Sequence, residues 1–161
     1  MTTAIRKLGE DDWEMLRDIR LEALETDQAA FGSSIERERG FREMHWRMRL
    51  RGSSWWVAEV DGTPAGLVCG MNEPGATEDD RHVVALWVRP SERSNGVARA
   101  LMDALHTWAS DDGARTTSLW VVDGNEAACT TYESFGYAPS GVRMPVPRDP
   151  SLVEERWTHT L

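Results

Sequence analysis

Residues 93–109 read RSNGVARALMDALHTWA. A polar segment with a single glycine becomes, within four residues, a helical repeat. Val97, Leu101, Leu105 and Trp108 share one face, with Ala98 and Met102 beside it. The preceding run, HVVALWV (82–88), is apolar nearly throughout and reads as a strand buried on both faces. Gly113 ends the helix, and TTSLWVV (116–122) reads as a second buried strand. A strand–helix–strand unit from His82 to Val122 places its two strands parallel in one sheet. The chain is therefore expected to be an α/β (α+β) protein with a mixed sheet.

Upstream, AIRKL (4–8) alternates like a first strand. Asp11 and Glu14 have the spacing of a capping box. After them Trp13, Leu16, Ile19, Ala23 and Leu24 line one helix face. AAFGSS (29–34) breaks that pattern. A second helix is expected from about Ile35 to Leu50, interrupted at Gly40, with Phe41, Met44 and Met48 on one side. SSWWVAEVDGTPAGLVCGM (53–71) reads as a hairpin turning at Asp61-Gly62. EPGATEDDR (73–81) reads as a polar loop. Downstream come a short helix, NEAACTTYESF (125–135), closed by Gly136, and extended structure from Tyr137. PVPRDP (145–150) reads as a proline-rich loop, and LVEERWTHTL (152–161) as a last strand. The 161 residues suit one domain, 1–161.

The chain holds 18 basic and 27 acidic residues, a formal charge of −9. That excludes the basic face of a general nucleic-acid binder and favours a cationic small-molecule partner. Cys69 and Cys129 make neither a metal site nor a disulfide framework, so a reducing cytoplasm is the default expectation. No apolar run approaches the ~18 residues of a membrane span, and MTTAIRKLGEDDW lacks the apolar core of a signal peptide. No membrane partner and no metal are expected.

The glycine has two readings. It is either a simple turn or a place where a ligand meets bare backbone. Helix first turns carry N–H groups with no internal partner and about half a positive charge, so a strand running into such a start is a ready anion site. Arg93 and Arg99 supply charge on either side. The stretch suits a diphosphate. It is not a Walker loop, and it holds only one of the three glycines of a dinucleotide fingerprint.

VRPSERSNGVARALM (88–102) resembles the acetyl-coenzyme A loop of the Gcn5-related N-acetyltransferases, the GNAT superfamily. Their pattern is Arg or Gln, two residues, Gly, one residue, then Gly or Ala; Arg93, Gly96 and Ala98 match it. Val88 and Pro90 match the strand end before it. Asn125, Ala128, Tyr132, Gly136 and Tyr137 match the family's second element, an Asn-x-x-Ala-x-x-x-Tyr run closing in Gly-Tyr. The resemblance implies a mixed central sheet of about six to seven strands with helices on both faces, its two parallel strands splayed at the cofactor site.

It also implies acetyl-coenzyme A as co-substrate. Backbone groups of Ser94, Asn95, Gly96, Val97, Ala98 and Arg99 would hold the pyrophosphate, beside Arg93. Leu86, Trp87 and Val88 would run along the pantetheine arm, and an N–H near Trp87 or Val88 would polarise the thioester carbonyl. Tyr132 would donate a proton to the departing thiolate. Asn125 would cap its helix and contact the pantetheine. No carboxylate lies inside VVALWV, so the general base is left open among Glu73, Asp79, Asp80, His82 and a water chain. Trp46, Trp55 and Trp56 are either an aromatic wall or core, and AFGSS names no chemistry. The implied reaction is direct acetyl transfer to a small-molecule primary amine. A protein N-terminal or lysine acetyltransferase and a non-catalytic acetyl-coenzyme A module are the alternatives. Homodimers are frequent in the family.

Overall fold

The computed structural model describes residues 1–161. The fold is mixed α/β, with five α-helices and a seven-stranded sheet in the order β1-β2-β3-β4-β5-β7-β6. The strands are β1 (Thr3–Lys7), β2 (Ser54–Val60), β3 (Thr63–Met71), β4 (Asp80–Val88), β5 (Thr116–Val122), β6 (Ala138–Val146) and β7 (Asp149–Thr160). The helices are α1 (Trp13–Thr26), α2 (Ile35–Arg39), α3 (Glu43–Gly52), α4 (Val97–Asp111) and α5 (Glu126–Ser134). Two compact units share the chain. One comprises Met1–Met71 and Val84–Leu105, the other Asn72–Val83 and His106–Leu161.

In the first unit β1, β2 and β3 form an antiparallel meander. The hairpin turns where expected: Asp61 (φ 50°) and Gly62 (φ 83°) both take the positive φ of a type I′ turn. Leu16, Ile19, Ala23 and Leu24 of α1 are buried and share a core with Trp46, Trp55, Val57, Leu67 and Trp87. The capping box at Asp11 does not form. A short 3₁₀ turn, Glu10–Asp12, precedes α1, and Asp12 accepts from the Gly9 N–H at 2.8 Å. Asp11 instead pairs with Arg47 at 3.0 Å.

The helix expected over 35–50 is two helices, α2 and α3, parted at Gly40. The predicted face was also wrong. Met44 and Met48 are 56% and 60% exposed, whereas Trp46 and Leu50 are buried. Within α3, Met44 and Met48 stack one turn apart, and Trp46, two residues from each, falls on the opposite side with Leu50. Trp46, Trp55 and Trp56 are core, at 0%, 6% and 4% exposure. AFGSS is an anchor and a cap: Phe31 is buried under the Arg20 guanidinium, 4.8 Å from its ring centroid. Ser34 Oγ accepts the Arg37 N–H at the start of α2.

In the second unit, β4 and β5 pair in parallel over Asp80–Thr116, Arg81–Thr117 and His82–Ser118. β7 runs antiparallel to β5 and to β6. β4 begins two residues earlier than expected, because its first charges are satisfied. Arg81 meets Asp112 Oδ2 through Nε and Nη2 at 3.1 and 3.0 Å, and Asp80 accepts from Thr116, Ser118 and Arg156. Of PVPRDP, only residues 147–148 form a turn. Pro145 and Val146 complete β6 and Asp149 opens β7. β6 is the edge strand, where a proline can sit without breaking a ladder. Within α4, Ala109 is buried beside Leu101, Met102 and Leu105, while Trp108 is only half-buried.

Candidate functional site

Two glutamate–arginine and aspartate–arginine clasps shape the loop between β4 and α4. At its start Arg89 grips Glu22 of α1 through two hydrogen bonds of 2.7 and 2.8 Å, and its N–H donates to the Ala65 carbonyl at 2.7 Å. At its far end Arg93 Nε donates to the Val88 carbonyl at 2.8 Å, and its Nη2 donates to Asp27 at 2.8 Å. Trp87 Nε1 donates to the same Asp27 oxygen at 2.7 Å. That tryptophan hydrogen bond, with Arg93 beside it, holds the Asp27 carboxyl below its ordinary range despite partial burial.

These contacts give two of the expected site residues partners within the protein. The Arg93 side chain braces the loop from within, because its planar fork meets an aspartate and a carbonyl already in place. Trp87 is 4% exposed, its indole committed to the core and to Asp27. Leu86 is half-exposed and Val88 buried.

The backbone carries two departures from regular geometry. Ala85, in the middle of β4, has φ 61°. A non-glycine residue there costs roughly 1–2 kcal/mol and interrupts the regular strand geometry. Such kinks re-aim backbone groups and concentrate at functional sites. In the loop, Ser94 (φ 66°) and Gly96 (φ 81°) are both left-handed. No protein atom lies within 4 Å of where a Cβ on Gly96 would sit. Conformation, together with open space, explains the glycine. Ser94, Asn95 and Gly96 are exposed, as is Arg99 on the first turn of α4. The Ala100 N–H is the one that closes back onto Gly96, at 3.0 Å. Ahead of it the amides from Ser94 to Ala98 have no partner four residues back in the helix. Val97 is buried and anchors the turn, and Ala98 is half-buried.

α5 carries Asn125 and Tyr132. Asn125 caps the helix, its side chain accepting the Ala128 N–H at 3.1 Å. The chain has two tyrosines, and hydrogen bonding tells them apart. Tyr137 Oη bonds Thr117 Oγ1 at 2.7 Å and His106 Nε2 at 2.8 Å, so it is structural. Tyr132 is half-buried and packs edge-on against Phe135 and Tyr137. Its hydroxyl forms no hydrogen bond within the protein. Burial raises its phenol pKa, which keeps the proton on the oxygen at neutral pH.

Of the open base candidates, the structure assembles three and leaves out one. Asp79 is exposed, and its carbonyl accepts the Arg115 N–H. Glu73, Asp80 and His82 meet in one network with Ser118, Trp120 and Arg156. His82 lies 2.9 Å from Ser118 Oγ through Nδ1 and 3.3 Å from Glu73 Oε2 through Nε2. Ser118 Oγ donates to Asp80 at 2.6 Å. Trp120 Nε1 donates to Glu73 at 2.9 Å, and Arg156 bonds Glu73, Asp80 and Ser118. Sequence reasoning missed Ser118, Trp120 and Arg156. The signal was the unbroken polar runs at 116–118 and 154–156 inside segments that read as strands. Cys69 is buried, which pushes its thiol up to about 12 and makes it unreactive. Cys129 is half-buried.

The family model described as "Acetyltransferase (GNAT) family" matches residues 13–137. A curated relative, the catalytic subunit of N-terminal acetyltransferase B from Schizosaccharomyces pombe, is 35% identical over 78 residues, 48% of this chain and 43% of that protein. The chain thus spans under half the length of that relative. Among solved structures, a GNAT-family acetyltransferase from Streptococcus pneumoniae superposes with a TM-score of 0.78 at 16% identity, covering 99% of this chain and all of that one. The PaiA N-acetyltransferase of Thermoplasma acidophilum, in complex with coenzyme A, gives 0.71 at 16% identity over the whole of both chains. No helix is long and apolar enough to cross a membrane.

Proposed function

The chain belongs to the GNAT acetyltransferase family, and from that premise we propose that it moves the acetyl group of acetyl-coenzyme A onto the primary amine of a small molecule, by direct attack in a ternary complex. The observation that carries the reading is the turn at Ser94 and Gly96. Left-handed backbone on either side of Asn95, exposed at the mouth of α4, is the kind of turn whose backbone amides form an anion-binding concavity. A diphosphate is the natural occupant of such a cradle. Arg89 and Arg93 keep the cradle rigid, and Asp27 ties Arg93 to β4. The left-handed kink at Ala85 turns the peptides that follow it, which suits the donor needed at a thioester carbonyl. Leu86, half-exposed, is the residue available to an arm lying along β4.

Tyr132 is the acid in this reading. Its hydroxyl keeps its proton and spends it on no protein acceptor, so it can protonate a departing thiolate. Asn125 holds the first turn of the helix that carries it. The charge of −9 favours a cationic acceptor. A second reading, acetylation of a protein N-terminus, is favoured by the resemblance to the S. pombe N-terminal acetyltransferase subunit.

Tyr132→Phe separates chemistry from binding. It is expected to lower kcat about a hundredfold while calorimetric affinity for acetyl-coenzyme A stays within twofold. Undiminished thiol release would remove the acid role.

A further inference from the structure

Hydrogen-bond accounting around His82 fixes where its proton sits. Ser118 Oγ has one hydrogen, and it goes to Asp80 Oδ2 at 2.6 Å. The two remaining lone pairs of that oxygen face Arg156 Nη2 at 2.7 Å and His82 Nδ1 at 2.9 Å. Arg156 can only donate. Nδ1 must therefore donate too, so the neutral imidazole is the Nδ1–H tautomer. Its lone pair is then on Nε2, which points at Glu73 Oε2 3.3 Å away. Two acceptors face each other, and one added proton turns that contact into a charge-assisted hydrogen bond.

The surroundings suit a group that takes up one proton and releases it. His82 is 4% exposed. The charged groups facing it are Glu73 from the loop before β4, Asp80 from β4 and Arg156 from β7; β5 contributes only the neutral Ser118 and Trp120. With the ring neutral this set carries one net negative charge, and proton uptake cancels it. Glu73 is the outlet. Its side chain is 23% exposed, and it lines a cleft of about 430 Å³ with Pro74, Thr77, Asp80, Thr116 and Arg156.

We propose that Glu73 and His82 are the proton-accepting pair of the reaction: Glu73 meets the acceptor ammonium at this cleft, and its proton passes to His82 Nε2. Asp80, Ser118 and Arg156 are positioning residues that hold the tautomer. This rests on the transferase reading above. The ammonium loses one proton to the pair, which later releases it to water. The neutral nitrogen attacks the thioester carbonyl, a C–N bond forms and the C–S bond breaks. The sulfur takes the proton of Tyr132, and the nitrogen's second proton restores the phenol. Burial lowers the His82 pKa, so the ring is neutral and ready to accept at neutral pH. Burial would raise the Glu73 carboxyl, but the hydrogen bonds from Trp120 and Arg156 outweigh it and lower its pKa, which passes the proton inward.

Long-range proton–nitrogen NMR of the four histidines tests the pair without an acceptor. His82 should titrate from an Nδ1–H neutral form, and Glu73→Gln should lower its midpoint by at least about one unit, the tenfold loss expected on removing a facing carboxylate. An Nε2–H tautomer, or an unmoved midpoint, overturns the proposal. Thiol release from acetyl-coenzyme A with ethanolamine, spermidine or an alanine-initiated tetrapeptide tests its use. Glu73→Gln should cut kcat about a hundredfold at neutral pH, less as pH rises and the free amine becomes abundant, with cofactor affinity unchanged. Full turnover in that variant overturns the catalytic role. If the wild type binds acetyl-coenzyme A but releases no thiol with any probe, the transferase reading fails instead, and the titration still judges whether the pair shares a proton.

Discussion

Glu38→Ala is expected to destabilise the protein by roughly 3–5 kcal/mol, the range for removing one partner of a buried ion pair. Glu38 is fully buried. It accepts from Arg20 Nε and Nη2, both at 3.0 Å, and from Arg49 Nη1 at 2.8 Å. Burial by itself would raise its pKa, but the two guanidiniums outweigh it and hold the carboxyl down to about 2. Without the carboxylate, two cations face each other in an apolar shell. Arg20 stacks on Phe31, and Arg49 on Phe41 and Trp46. The variant therefore loses the junction of α1, α2 and α3. Urea unfolding measures the loss, and a change under about 1 kcal/mol, the scale of an exposed pair, would show that the cluster is not a stabilising unit. The pH dependence has a definite sign. A carboxyl held below its ordinary 4.5 contributes stability that is complete above that value and is lost as pH falls toward 2. Wild-type stability should drop across that window, and the gap to Glu38→Gln should narrow with it.

Gly96→Glu is expected to weaken acetyl-coenzyme A binding at least about a hundredfold, because it acts on both backbone and charge. At φ 81° any side chain is strained, by about 1–2 kcal/mol. The new carboxylate would also occupy the open space beside the amides and repel a diphosphate. The same carboxylate interacts favourably with the helix N-terminus, which offsets part of the strain, so the fold should survive. Gly96→Ala isolates the conformational part and should lose much less affinity. Calorimetry on both variants separates the contributions. Wild-type affinity in the glutamate variant would remove the loop from cofactor binding altogether.

The parallel β4–α4–β5 unit was legible because each element obeys a local rule. Val97, Leu101 and Leu105 repeat at helical spacing, and an apolar run on either side marks a buried strand. The hairpin at Asp61-Gly62 was legible for a similar reason, since few residue pairs accept two positive φ angles. The reading was weaker where local rules competed. The interruption at Gly40 was legible, but two exposed methionines of α3, Met44 and Met48, were grouped ahead of the buried Trp46 and Leu50. The run PVPRDP was shared between two strands and the turn at 147–148, and Pro145 fits β6 because an edge strand leaves one row of N–H groups unpaired.

At the site, chain order alone located Gly96 and Tyr132, residues defined by their own backbone or by a short motif. It could not give the side-chain partners of Arg93 and Trp87 or choose among the candidate bases. Arg93 and Trp87 both donate to Asp27, some sixty positions away in the chain, a partner that chain order does not reveal. Glu73, Asp80 and His82 were three undifferentiated candidates until Ser118 and Arg156, from strands far along the chain, joined them through hydrogen bonds. Backbone conformation is encoded within a few residues, so the linear chain determined the helices, the turn and the glycine loop. Which charge meets which partner depends on distances that exist only after the strands are paired, and tertiary structure alone decided the network around His82.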